Sequence, residues 1–260
     1  MSEVTPPDDP SQEMSAAGSP HVIKLPRLLY VALIVLIVFS VTFAVLAVRL
    51  HHSQDAPGVI RPSGVPASVS THIADLMALS PVPARPAPNF TLTDQNGRTM
   101  SLSSFKGKAV VLEFMDPHCI DICPIVSREF VDAYHNLGSN ASKVVFIAIN
   151  VNQYYASVAD MATFTTEHQL NVIPSWHFFT GTVGQLTAIW HAYGVEVIAP
   201  NPNKDIVHTS IIYFIDPSGR ERFLANPVVD HTRKGTAFLP APSITSWGQG
   251  ISLTVQNLIK

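Results

Sequence analysis

From Phe90 onward, short and almost wholly apolar runs alternate with stretches of helical periodicity, and this alternation constrains the chain more than any other feature. The runs are Ala109-Val110-Val111-Leu112-Glu113-Phe114, Lys143-Val144-Val145-Phe146-Ile147-Ala148-Ile149, Trp176-His177-Phe178-Phe179-Thr180 and Ser210-Ile211-Ile212-Tyr213-Phe214-Ile215-Asp216. Continuous apolar runs of this length read as strands buried on both faces. Between them, a helix reaching about Leu137 carries Val126, Phe130, Ala133, Tyr134 and Leu137 on one face, and Gly138 stops it. A second helix spans Ser157 to Leu170 and opens with the box-like pair Ser157 and Asp160, and a third runs from Thr182 to Tyr193 before Gly194. Phe90 to Thr93, a turn at Asp94-Gln95-Asn96-Gly97, and Thr99 to Leu102 form an N-terminal hairpin. A turn at Pro217-Ser218-Gly219 leads to a short strand through Phe223 and Leu224, and Ile244, Trp247, Ile251, Val255 and Leu258 mark a closing helix. The expectation is an α/β domain with a mainly parallel sheet covered on both faces.

Ahead of this domain lies the uncharged run Leu28 to Val48, whose polar groups are Tyr30, Ser40 and Thr42. A helix of about 20 residues covers the roughly 30 Å hydrocarbon core of a bilayer, so a single transmembrane anchor is the favoured reading. A cleaved signal peptide is the alternative, with Val45-Leu46-Ala47 as its cleavage site. The run exceeds the usual apolar stretch of about 7–15 residues, however. Lys24 and Arg27 before the span outweigh the basic residues after it, which puts residues 1–27 on the cytoplasmic side. Glu3, Asp8, Asp9 and Glu13 argue against a mitochondrial presequence and for a bacterial plasma-membrane protein with its domain outside the cytoplasm. Seven of the 21 prolines fall between Pro57 and Pro88, so residues 49–86 read as a semi-rigid tether interrupted by a short helix around Val69 to Leu79, and residues 87–260 as the domain. Lys and Arg total 16 against 19 acids with no clustered run, which excludes a binder of nucleic acid.

The chain has two cysteines, Cys119 and Cys123, directly after the first buried run. In an α/β sheet, sites are built in loops at the C-terminal ends of strands. Pro124 is tolerated only in a first helical turn, so Cys123 is expected at or just before a helix start, where free N–H groups and the helix dipole favour its thiolate. Two thiolates one turn apart either converge on one soft ion or close into a disulfide. A metal site needs a third ligand, for which the chain offers His208, just before the run at 210–216. Two sulfurs and an imidazole suit Cu(I), which accepts low coordination numbers, whereas Zn(II) wants a fourth ligand.

Several motifs together resemble the Sco (SenC) family of thioredoxin-fold copper proteins over about Ala87 to Arg222. They are Ala87-Pro88-Asn89-Phe90-Thr91-Leu92, Asp94-Gln95-Asn96-Gly97, Phe105-Lys106-Gly107-Lys108, His118-Cys119-Ile120-Asp121-Ile122-Cys123-Pro124, and Val207-His208-Thr209 with Tyr213 to Gly219. The hairpin motif is common among thioredoxin-like proteins, while the C-x-D-x-C-P core with its downstream histidine is specific. The resemblance implies a thioredoxin-like fold with an N-terminal β-hairpin and a membrane-anchored extracytoplasmic metallochaperone that binds copper, as Cu(I) or Cu(II), through Cys119, Cys123 and His208. Its partner would be cytochrome c oxidase subunit II, whose CuA centre it would load or whose cysteines it would reduce, or another extracytoplasmic cuproprotein, with a copper-donating chaperone upstream. The sequence departs from the family pattern at Ile120, at Asp116-Pro117 and at Asn150-Val151-Asn152-Gln153.

The competing function is a metal-free thiol–disulfide oxidoreductase using Cys119 and Cys123 as its redox pair. Its C-x-x-x-C spacing is unlike the C-x-x-C of most catalytic pairs, and it has no use for His208. His118, beside Cys119, is expected to point away from the site and at most to tune it; Asp121 reads as a solvated acid; His51 and His52 fall in the tether; Met115, Trp176, His177 and His191 read as packing or surface.

Overall fold

The structure, a computed structural model, describes residues 36–43 and 61–260. Residues 36–43 form a helical segment, α1, with exposed side chains, in a unit of its own (residues 1–54). Most of the expected span Leu28–Val48, together with residues 1–27, His51 and His52, lies outside the described residues. Among the described residues no helix is long and apolar enough to cross a membrane.

The second unit, from Asp55, runs in the order α2 (Thr71–Leu76), β1 (Ser80–Pro86), β2 (Thr91–Thr93), β3 (Thr99–Ser101), β4 (Ala109–Met115), α3 (Cys123–Leu137), β5 (Val144–Asn150), α4 (Val158–Glu167), β6 (Trp176–Phe179), α5 (Val183–Tyr193), β7 (Val197–Ile198), β8 (Val207–His208), β9 (Ile212–Ile215), β10 (Arg220–Ala225), β11 (Asp230–His231), β12 (Ala237–Phe238) and α6 (Ala241–Leu258). The helix starts follow local chemistry. The Ser157 hydroxyl accepts the Asp160 N–H at 3.1 Å while the Asp160 carboxylate accepts the Ser157 N–H at 3.0 Å, and Thr182 and Gln185 do the same for α5. Gly194, at φ 72°, ends α5 in the left-handed conformation glycine adopts without strain.

The main sheet has the order β1-β10-β9-β4-β5-β6. The expectation of a mainly parallel sheet is corrected here: β4, β5 and β6 are parallel, whereas β9, β10 and β1 are antiparallel to their neighbours. The β7–β8 hairpin returns the chain to the end of the sheet where β4 stops. β9 therefore runs back alongside β4 and feeds β10 through a tight turn.

Over residues 61–86, the described part of the expected tether, that reading is corrected as well. Val65, Val69, Ile73, Ala74, Met77 and Leu79 are buried in the core, and β1 is an edge strand paired with β10. The prolines of β1 fit because an edge strand needs donors on one side only. α2 packs so closely on α6 that a Cβ at Gly250 would collide with Met77 and Ile73.

Alternate residues of β4 serve opposite faces. Val111 and Met115 pack with Phe130, Phe146, Trp247 and Ile251 under α3, α4 and α6; Val110, Leu112 and Phe114 pack with Ile147, Phe179, Trp190 and Tyr193 under α5 and the β2–β3 hairpin. By this alternation Glu113 points to the α3 and α6 face.

Candidate metal and redox centre

β4 ends at Met115 and α3 begins at Cys123, so both cysteines sit at the strand-to-helix junction. The Cys123 N–H, unpaired within the helix because it lies in the first turn, donates to Cys119 Sγ at 3.4 Å. Cys119 is half-buried and Cys123 is buried, and both are free thiols. The Cys119 thiol is lowered to about 7, chiefly because the Cys123 thiol donates to it and further because the Cys123 and Asp121 N–H groups do, against the opposing effect of burial. Cys123 is raised well above the ordinary thiol value, since it gives its hydrogen bond to Cys119 and is removed from water. The expectation that Cys123 is the activated thiolate is therefore corrected: the helix start does activate a sulfur, but its N–H points at Cys119.

His208 lies on the segment that leads into β9, the strand beside β4. β4 and β9 pair Leu112 with Tyr213, and continuing that register sets Ser210 beside Met115. His208 belongs to the two-residue β8, paired with Val197 of β7 rather than with the main sheet. Its Nδ1 lies 3.0 Å from the Thr209 carbonyl. A carbonyl only accepts, so Nδ1 carries the proton and Nε2 keeps the lone pair that a metal would need. Burial lowers its pKa, which favours the neutral, ligating form. The structure thus brings Cys119 and Cys123 together and places His208 on the segment leading into β9. Among the described residues no three His, Cys, Asp or Glu side chains stand close enough to form a closed metal cage.

Of the positions that depart from the family pattern, Asp116, Asn150 and Asn152 interlock, whereas Ile120 is exposed. Asp116 Oδ1 accepts the His118 N–H at 2.8 Å and Asn152 Nδ2 at 2.9 Å, while Asn150 donates to the Asn152 and Tyr155 carbonyls at 3.0 Å each and accepts the Asn152 N–H at 2.7 Å. These buried groups brace the cysteine loop against the end of β5. No pairwise signal in the sequence links residue 116 to residues 150 and 152. His118 turns away from the sulfurs: its ring stacks on Tyr155, with centroids 3.7 Å apart, and its Nε2 stands 3.8 Å from Asp160. Asp121 is not merely solvated, because His231 Nε2, on the β11–β12 hairpin, lies 3.1 and 3.2 Å from its two oxygens. Met115, Trp176 and His177 are buried, as expected of packing residues, with His177 bonded to Asp94.

Two acids lie in the core beneath the loop. Burial pushes Glu113 up to about 8 and Glu129 well above the usual carboxyl range. Glu113 accepts a hydrogen bond from Ser210 at 2.9 Å, whereas both Glu129 oxygens and Oε2 of Glu113 have no partner. Nothing in hydropathy patterning marks either residue, since an acid within an apolar run reads as a strand end or a helix surface.

Comparison with known proteins bears on the fold and the family. The SCO1 protein homolog of Bacillus subtilis (strain 168) is 24% identical over 133 residues, which cover 50% of this chain and 68% of that protein. The chain spans about half the length of the mitochondrial SCO2 homologs of Bos taurus and Homo sapiens. A SCO1/SenC family lipoprotein from Bacillus anthracis str. Ames superposes with a TM-score of 0.55 at 18% identity, over 70% of this chain and 98% of its own. ScoI of Bradyrhizobium japonicum, solved with copper bound, gives 0.50 at 24% identity, over 65% and 99%. These likenesses show the thioredoxin-like mixed α/β fold. The SCO1/SenC family model matches residues 81–233, more than half of the chain and a range that holds both cysteines and His208; the chain belongs to the SCO1/SenC family.

Proposed function

We propose that this chain binds copper through Cys119, Cys123 and His208 and acts in assembly of a copper protein, with the CuA site of cytochrome c oxidase subunit II as the favoured recipient. The observation that carries this reading is the sulfur pair at the junction of β4 and α3, with the His208 imidazole on β8 keeping its Nε2 lone pair free. Two soft thiolates and a neutral imidazole form a donor set suited to Cu(I). ScoI of Bradyrhizobium japonicum, a relative of the same fold, has been solved with copper bound. Cys119, half-buried and the more acidic thiol, and Cys123 would hold the ion as thiolates, and the neutral His208 imidazole would supply the third donor through Nε2. Leu28–Val48 would anchor the chain in a bacterial plasma membrane with the domain outside the cytoplasm. Retention in the membrane pellet at high salt tests the anchor, and release as a shortened soluble form would overturn it.

A second reading is favoured by the lowered Cys119 thiol. As a reductant, the Cys119 thiolate would attack a client disulfide and form a mixed disulfide, and Cys123 would displace the client. The products are a client dithiol and a Cys119–Cys123 disulfide, so the client disulfide is the oxidant. Anaerobic Cu(I) titration of the reduced full-length chain against a competing chelator separates the two. One tightly bound Cu(I) is expected, lost in Cys119→Ser and Cys123→Ser and weakened about tenfold or more in His208→Ala. Absence of binding by thiols that still reduce a disulfide would establish the oxidoreductase instead.

A further inference from the structure

Burying a carboxyl group costs several kcal/mol unless cations or several donors meet it. Glu113 is 1% exposed, and no ion pair among the described residues includes it. Its Oε2 has no partner, and its one side-chain hydrogen bond comes from Ser210 Oγ at 2.9 Å. A leucine would fill this place at lower cost, so stability does not account for the acid. The bond to Ser210 is the contact that distinguishes it from a packing residue.

Ser210 stands two residues beyond His208, and the segment between them is fastened at both sides. The Thr209 N–H donates to the Glu196 carbonyl at 3.0 Å, and the Glu196 N–H donates to the Thr209 hydroxyl at 3.2 Å. The His208 ring is itself oriented by its Nδ1–H on the Thr209 carbonyl at 3.0 Å. Glu196 therefore holds the Thr209 peptide from the β7 side, and Glu113 holds it through Ser210 from the sheet side.

We propose that Glu113 is a positioning residue whose carboxyl oxygen fixes Ser210 and, through the Thr209 peptide, sets where the His208 imidazole stands relative to Cys119 and Cys123. This role deepens the copper site proposed above and rests on His208 being its third ligand. The test uses the reduced full-length chain with Glu113→Leu, Glu113→Gln and Ser210→Ala, each with and without His208→Ala. The readouts are the His208 ring signals in NMR spectra of the metal-free protein and Cu(I) affinity by chelator competition. Glutamine keeps an acceptor oxygen for Ser210, whereas the leucine and alanine variants break the bond. Glu113→Leu and Ser210→Ala are expected to shift the His208 signals and weaken Cu(I) binding about tenfold. Glu113→Gln should match wild type, and the loss should vanish when His208 is already alanine. Unmoved His208 signals, a glutamine variant that behaves like leucine, or an equal loss with and without His208 would overturn the role. Where the leucine variant fails a thermal-melt check for folding, Ser210→Ala carries the test. If His208→Ala alone leaves Cu(I) affinity unchanged while the metal-free signals still respond, the ligand assignment fails and the positioning role stands.

Discussion

Asp216, at the turn between β9 and β10, and Glu113, beneath the cysteine loop, are both acids withdrawn from water, yet they are treated in opposite ways. Asp216 accepts from the Ser218 N–H and hydroxyl, the Arg220 N–H and the Arg222 guanidinium at 2.6 to 3.1 Å. Burial alone would raise its pKa, but these donors outweigh it and hold the carboxyl below the usual range. Asp94 repeats the arrangement, with Arg98 and His177 as partners and a lowered pKa. Glu113 has one neutral donor and Glu129 has none, and both are raised. The paired acids close turns and stabilise the scaffold, whereas the unpaired ones weaken the layer nearest the sulfurs. Among the described residues the other buried acids each meet a cation or at least two donors, so the burial of Glu113 and Glu129 near the thiol pair works against stability.

The largest expected effect concerns Glu113 and the pH dependence of folding. Its folded pKa lies near 8, above the ordinary 4.5, so its contribution is most favourable below the ordinary value and is lost as pH rises through about 8. Chemical denaturation of Glu113→Gln and wild type should coincide near pH 4.5 and diverge upward, with the variant more stable by a few kcal/mol above pH 8. A constant difference across that range would break the comparison. Asp216→Asn should show the opposite slope at a smaller scale. Wild type is expected to be more stable by about 1–3 kcal/mol at neutral pH, with the advantage shrinking as pH falls through the carboxylate range, because its folded pKa is lowered. The smallest effect belongs to Asp121 and His231, each about half exposed. His231→Ala should change unfolding free energy by less than about 1 kcal/mol, and a larger loss would show that the hairpin bears on the cysteine loop more than a surface pair does.

Much of the scaffold was legible because local chemistry specified it. The Ser157–Asp160 box, Pro124 in the first turn of α3 and the glycines after α3 and α5 each act within a few residues, and the structure places these helix boundaries where those residues stand. The cysteines were legible as a pair because one helical turn separates them. Which cysteine is activated was not, because that depends on burial and on the direction of one N–H. The stretch after residue 60 was read as tether from its prolines, since proline content does not reveal whether an edge strand is available to receive it.

By itself, the sequence determined the alternation of strands and helices, the junction that carries Cys119 and Cys123, and membership of a family that includes copper-bound relatives, because periodicity, capping and short motifs are written over neighbouring residues. Only the tertiary structure decided that β9 runs antiparallel to β4 and that Glu113 meets Ser210 across 97 positions of sequence. The physical reason is that burial and long-range hydrogen bonds arise from how distant segments share space, and an acid in an apolar run shows its consequence only when the strand beside it is known.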